Sequence, residues 1–149
     1  MRKLVSGLVA VAATALLASG LALAAHSAKT YTLSAPLNAK QEVPKQVVKV
    51  PRAAGKFSGT LVGSKLRWKL TYHGLSGKAS AAHIHLGKAG VSGNVIVPLC
   101  AANCRSGMTG KATLKASVAA AIRAGKTYVN VHTAKNQAGE IRGQLKATA

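Results

Sequence analysis

Tyr128-Val129-Asn130-Val131-His132-Thr133, followed a few residues on by Gly139-Glu140-Ile141-Arg142-Gly143-Gln144, reads as two β-strands joined by a turn-rich loop. Successive side chains of a strand point to opposite faces, so residues two apart share a face. Val129, Val131 and Ile141 form the apolar side, which leaves Asn130, His132, Glu140 and Arg142 on the polar side. Matching the apolar sides predicts a register with Val131 beside Ile141, Asn130 opposite Arg142 and His132 opposite Glu140. A slip of one residue would turn Ile141 to solvent. Upstream, His83-Ile84-His85 shows the same alternation, with two imidazoles on one side of a strand, roughly 6–7 Å apart. If the polar faces meet, His83, His85 and His132 can share a metal ion.

Strand patterns continue outward from these segments. Tyr31, Leu33, Ala35 and Leu37 alternate with small or polar residues, and Gly55 to Val62 repeats the pattern with Phe57 and Leu61. The clearest case is Lys65 to Tyr72: Leu66, Trp68, Leu70 and Tyr72 face inward, while Lys65, Arg67, Lys69 and Thr71 face water. Residues 38 to 53 contain Pro44 and Pro51 and little period, which predicts a long loop or irregular edge. Ala81 to Leu86, Asn94 to Leu99, Gly110 to Leu114, Lys126 to Thr133 and Glu140 to Lys146 supply the remaining strands. Ser117 is placed to cap one short helix, Val118 to Ala124, closed by Gly125. Short strands at this spacing predict an all-β Greek-key sandwich or barrel with one helix near 117–124. Trp68 is the only tryptophan, and its place in the pattern makes it a core anchor. His73 is expected to be a solvated residue at a Gly turn.

The amino-terminal stretch has the form of an export signal. Arg2 and Lys3 precede an apolar run from Leu4 to Ala25, and Ala22-Leu23-Ala24 offers the small residues of a cleavage site. Cleavage after Ala24 or Ala25 is expected, which places the protein in the periplasm or outside the cell. His26 would then stand beside the new amino terminus. Removing Arg2 and Lys3 from 21 basic residues leaves 19 against Glu42 and Glu140, a net charge near +17. The remaining chain, about 125 residues, suits one domain with a single core.

Charge and composition exclude several chemistries. No aspartate occurs anywhere, so an oxygen-rich calcium loop, a carboxylate dyad and a Ser-His-Asp triad have no material. The glycines at 87, 90 and 93 do not have the dinucleotide-binding spacing and open no helix. A strongly basic exported chain is expected to adhere to acidic cell-surface polymers or anionic lipid headgroups, or to meet an extracellular protein. Specific nucleic-acid reading is not expected, because the basic residues are spread out and no aromatic platform accompanies them. Lys40, Lys45, Lys49, Arg52 and Lys56 form one loose cluster. Cys100 and Cys104 enclose three residues, and in an exported protein they read as a small loop disulfide. By loop entropy such a ring contributes only about 2 kcal/mol; it pins a loop.

Several separated motifs carry a likeness to a known family. Leu37 through Gln41-Glu42-Val43-Pro44, then Gly74-Leu75, Ala82-His83-Ile84-His85-x-Gly87, Tyr128 through Thr133, and Gly139 through Leu145 resemble a CHRD (chordin) domain over residues 31 to 146. The resemblance implies an extracellular β-sandwich module, as found repeated in chordin inhibitors of bone morphogenetic proteins and alone in exported bacterial proteins, the latter generally without assigned activity. The family often has proline two residues before the Gly-Glu-Ile-Arg-Gly motif, where this chain has Gln137. The architecture expected is immunoglobulin-like or Cu,Zn superoxide dismutase-like. His83-Ile84-His85 is similar to the copper strand of those dismutases, but no histidine lies between His85 and His132 and no aspartate is present. The bridging ligand and the zinc subsite are therefore missing.

Two functional readings follow. In the first the chain is a secreted binding or surface module without catalysis. Glu140 then pairs with Arg142 or His132, Glu42 fixes the long loop through backbone N–H groups, and the histidines are hydrogen-bonded. In the second, His83, His85 and His132 hold copper or zinc, since imidazole suits both metals. Glu140 then supports the second nitrogen of His132, Asn130 and Glu42 lie nearby, and Arg142 steers anions. No catalytic residue is assigned.

Overall fold

The computed structural model describes residues 28–149. The expected signal segment and His26 lie outside the described residues. The chain forms nine strands and one α-helix: β1 (Thr30–Asn38), β2 (Ala54–Val62), β3 (Lys65–His73), β4 (Ala79–Leu86), β5 (Val95–Cys100), β6 (Met108–Thr113), α1 (Ala116–Arg123), β7 (Thr127–Thr133), β8 (Ile141–Gln144) and β9 (Lys146–Thr148). A single 3-10 turn spans Ala39–Gln41. All strand pairs are antiparallel, in the order β5-β4-β7-β8-β1-β2-β3-β6, with β9 beside β1. The sheet curls into a nearly closed barrel, flattened like a sandwich, so the expected all-β architecture is what forms. Among the described residues no helix is long and apolar enough to cross a membrane.

The period-two patterning explains which side faces inward. Leu33, Ala35 and Leu37 of β1, Phe57 and Leu61 of β2, Leu66, Trp68 and Leu70 of β3, and Ile84, Val129, Val131 and Ile141 are buried together. Fully burying a side chain of this size stabilises the fold by roughly 1.5–3 kcal/mol. Trp68 is a core residue, as its pattern predicts, and Gly110 on β6 faces it: a Cβ there would overlap the indole ring. His73 is the exposed last residue of β3.

Two local expectations need correction. Ser117 does not cap α1. The helix begins one residue before it, and its N-cap position, Lys115, makes no side-chain cap bond. Tertiary packing of Ala119 and Ile122 against the core holds the helix in place of a cap. The last strand pattern also divides in two, because Leu145 turns into the core between β8 and β9.

The β7–β8 register is the one that apolar matching predicts, with Val131 paired to Ile141 and Asn130 to Arg142. The predicted polar side of this pair does not face water, however. Every residue of β7 is buried, because the loops after β1 and β4 fold over that side. The polar side of the last strands is an interior layer.

Candidate metal centre

β7 lies between β4 and β8, and this neighbourhood assembles the histidines. Across β4–β7, His83 pairs with Asn130, His85 with Tyr128 and Ala81 with His132. His132 is therefore a diagonal neighbour of His83 on the same face, within reach of its ring. Register shifts in the β4–β5 ladder fall between Ala82 and His83 and between Ile84 and His85, so irregularities flank His83 and precede His85. Such bulges bend a strand and re-aim its side chains. Pro98, opposite His83, is tolerated because β5 is an edge strand.

The three rings converge. Their centroids are 5.0 Å (His83–His132), 5.6 Å (His83–His85) and 5.8 Å (His85–His132) apart. One ring nitrogen from each can be chosen so that all three lie within 4.8 Å of one another. A tetrahedral ion with bonds of about 2.0–2.1 Å needs nitrogens roughly 3.4 Å apart, so modest side-chain rotations close the remaining gap.

Two rings are oriented by main-chain carbonyls. His85 Nδ1 lies 2.9 Å from the Gly93 carbonyl oxygen, and His132 Nδ1 lies 2.9 Å from that of Gln137. A carbonyl only accepts, so both Nδ1 atoms carry hydrogen and both Nε2 atoms present a lone pair. His85 Nε2 is buried and has no protein partner. His132 Nε2 is 3.1 Å from His83 Nδ1, which must donate to it. His83, only partly buried, is thus the ring whose partner would have to change for an ion to be held.

The electrostatics favour neutral imidazoles. Burial, then the neighbouring His132 and His85, push His83 down to about 4. Burial also lowers His85 and His132, partly opposed by the Gly93 and Gln137 carbonyls, with Arg142 and His85 respectively adding to the lowering. Neutral, unprotonated nitrogen is the form a metal requires.

Several further residues support the rings. Tyr128 is stacked on His85 from β7, with centroids 4.8 Å apart and an interplanar angle of 10°. The Arg142 guanidinium lies 3.4 Å from the centre of the same ring, coming from β8. Gly93 gives its carbonyl to His85, and its N–H donates to the Tyr128 hydroxyl at 3.2 Å. A Cβ at Gly93 would overlap the Leu86 carbonyl. Tyr128 opens one of the family motifs, and strand alternation placed it on the face of Asn130 and His132, but neither signal marked it as the partner of His85. Nothing in the sequence marks the Gly93 and Gln137 carbonyls, because every residue has one.

The partners expected for the acidic and basic residues differ from those formed. Glu140 binds neither His132 nor Arg142. Its carboxylate accepts from the Ser76 N–H and hydroxyl, the Thr133 hydroxyl and the Asn136 side-chain amide. Burial alone would raise its pKa, but these bonds outweigh burial and hold it below the ordinary value. The carbonyl of Gln137 takes the place expected of Glu140 on His132. That acceptor is main chain, so glutamine in place of the family's proline leaves it intact. Arg142 is only 1% exposed, and its Nη2 donates to the Lys88 and Val91 carbonyls, each at 2.9 Å. It clamps the loop after β4 and does not steer anions at the surface. Glu42 is fully buried, with Oε1 2.5 Å from Asn130 Nδ2. Burial pushes its carboxyl up to about 8, against the opposing pull of Arg142, the Val43 backbone N–H, Lys45 and Asn130. Cys100 and Cys104 are joined, with Cα atoms 5.8 Å apart.

The family model described as CHRD domain matches residues 33–145, most of the described chain. Comparison with curated proteins and with solved structures returned no match.

Proposed function

The chain belongs to the CHRD-domain family, and on that premise we propose that it is an exported, non-catalytic binding module holding one copper or zinc ion at His83, His85 and His132. The observation that carries this reading is the convergence of three imidazole nitrogens within 4.8 Å, two of the rings being oriented by carbonyls. Outer partners of this kind orient metal-binding histidines and raise their basicity. Imidazole serves copper and zinc alike, and three protein nitrogens leave one coordination position for water or a donor from a partner. The family membership and the Cys100–Cys104 disulfide support a home outside the cytoplasm, in the periplasm or medium.

The test is elemental analysis of protein purified without a histidine tag, followed by titration of chelator-stripped protein with Cu²⁺ or Zn²⁺. One equivalent should bind, and His132→Ala should bind none. Metal present at a hundred times its Kd would add about 2.7 kcal/mol to stability, a rise in Tm on the order of 10 °C. Identical melting with and without chelator, together with no bound metal, would reject the site.

A further inference from the structure

Both carboxylate side chains of the described chain are fully buried: Glu42 and Glu140 are each 0% exposed. The described surface therefore presents lysine and arginine with no side-chain carboxylate to balance them. On one face these cations are also in order. The outward side of the β1–β2–β3–β6 region, behind the buried Phe57, Leu66, Trp68 and Leu70, carries Lys56, Lys65, Arg67, Lys69 and Lys111, with Lys146 of β9 at its border.

The intervening positions bear hydroxyls. Lys69 lies between Ser58 of β2 and Thr109 of β6, Lys65 sits opposite Thr113, and Lys56 opposite Thr71. Lys65 Nζ donates to the Thr113 hydroxyl at 3.0 Å. Arg67 lies directly across from Lys111, a like-charge cross-strand pair that costs stability wherever no anion comes between. A shallow groove of about 570 Å³ is lined by Lys65, Arg67, Lys111 and Thr113. Cations two apart along a strand are roughly 6.5–7 Å from one another, and neighbouring strands are about 4.8 Å apart. The face is thus a rigid grid of positive charge and hydroxyl groups.

We propose that this face binds a linear acidic polysaccharide, one bearing carboxylate or sulfate groups along a polyhydroxylated chain. The cations meet its charges, and serine and threonine hydroxyls exchange hydrogen bonds with its sugar hydroxyls. Two other polyanions fit less well. No phenylalanine, tyrosine or tryptophan stands on the face to stack nucleic-acid bases, and its one imidazole, His73, lies at the far end of β3. Only Val62, at one end and 37% exposed, and the exposed Pro36 opposite Lys56 offer apolar surface to a lipid bilayer, and amphipathic membrane binding needs more buried apolar area than this beside charge. The face uses strands other than those bearing the histidines, so it stands independently of the metal reading.

The experiment measures binding of the chain to immobilised polygalacturonate and dextran sulfate, with neutral dextran as blank, across a salt series. The combined variant Lys65→Gln, Arg67→Gln, Lys69→Gln and Lys111→Gln is compared with Lys40→Gln, Lys45→Gln, Lys49→Gln and Arg52→Gln, which removes the same charge from the loop after β1. Thermal melts of both variants confirm that they fold. The face variant should lose at least tenfold in affinity with a shallower salt slope, and the loop variant should stay within about threefold of the parent. Equal losses in both variants would mean diffuse charge alone and overturn the proposal. Tighter binding to oligo(dT), or to vesicles containing phosphatidylglycerol, than to either polysaccharide would overturn it too.

Discussion

Replacing Glu42 by Gln should change how stability responds to pH, and the sign is the informative part. Glu42 has a carboxyl pKa pushed from 4.5 up to about 8, chiefly by burial. The folded chain therefore holds a proton that the unfolded chain releases, and stability falls as pH rises through this window. Its contribution is complete below about pH 4.5 and is lost by the time pH passes 8. The whole difference amounts to about 5 kcal/mol, and about 3 to 4 kcal/mol of it falls between pH 5 and pH 8. Gln cannot titrate and resembles the protonated acid. Its carbonyl keeps the bond from Asn130, and its amide takes the place of Oε2, which has no partner to lose. Urea denaturation of metal-free parent and variant at pH 5, 6, 7 and 8 isolates the effect, since the histidines and Glu140 are common to both. At an m-value of about 2 kcal/mol/M, the variant's midpoint should gain roughly 2 M relative to the parent across that range. A difference between the two proteins that does not change with pH would show Glu42 ionised in the fold and refute the reasoning.

Glu140 should behave in the opposite sense. Its pKa is held low by hydrogen bonds, so its contribution is present above the ordinary carboxylate range and disappears as pH falls below it. Glu140→Gln puts an amide donor against Asn136 and the hydroxyls of Ser76 and Thr133, and at neutral pH should cost at least about 3 kcal/mol in urea midpoint analysis. A loss under 1 kcal/mol would contradict the network. Gly93→Ala drives a methyl into the Leu86 carbonyl and displaces the acceptor that orients His85. It should cost about 1–3 kcal/mol of stability and weaken zinc or copper binding by 10- to 100-fold in competition titrations; unchanged metal affinity would separate Gly93 from the site.

Much of this could be read from residue order because β-structure has a period of two. His83 and His85 had to share a face, and the apolar residues Val131 and Ile141 had to pair, which placed Asn130 opposite Arg142. Alternation did not say what covers that polar face: Asn130, Arg142 and Tyr128 are buried under the loops after β1 and β4. The partners of Glu140 could not be read for a related reason. Ser76 is 64 positions away, and its approach depends on how the turn after β3 packs against the β7–β8 connection.

Alternation, charge and the absence of aspartate therefore determined the strand pattern, the polycationic character and the identity of the three candidate ligands from local sequence alone. The convergence of those ligands, the carbonyls that select their tautomers, and the burial of both glutamates were decided by tertiary structure. The physical reason is that local propensity acts over a few residues, whereas desolvation and hydrogen-bond pairing depend on which distant segments close over the same volume.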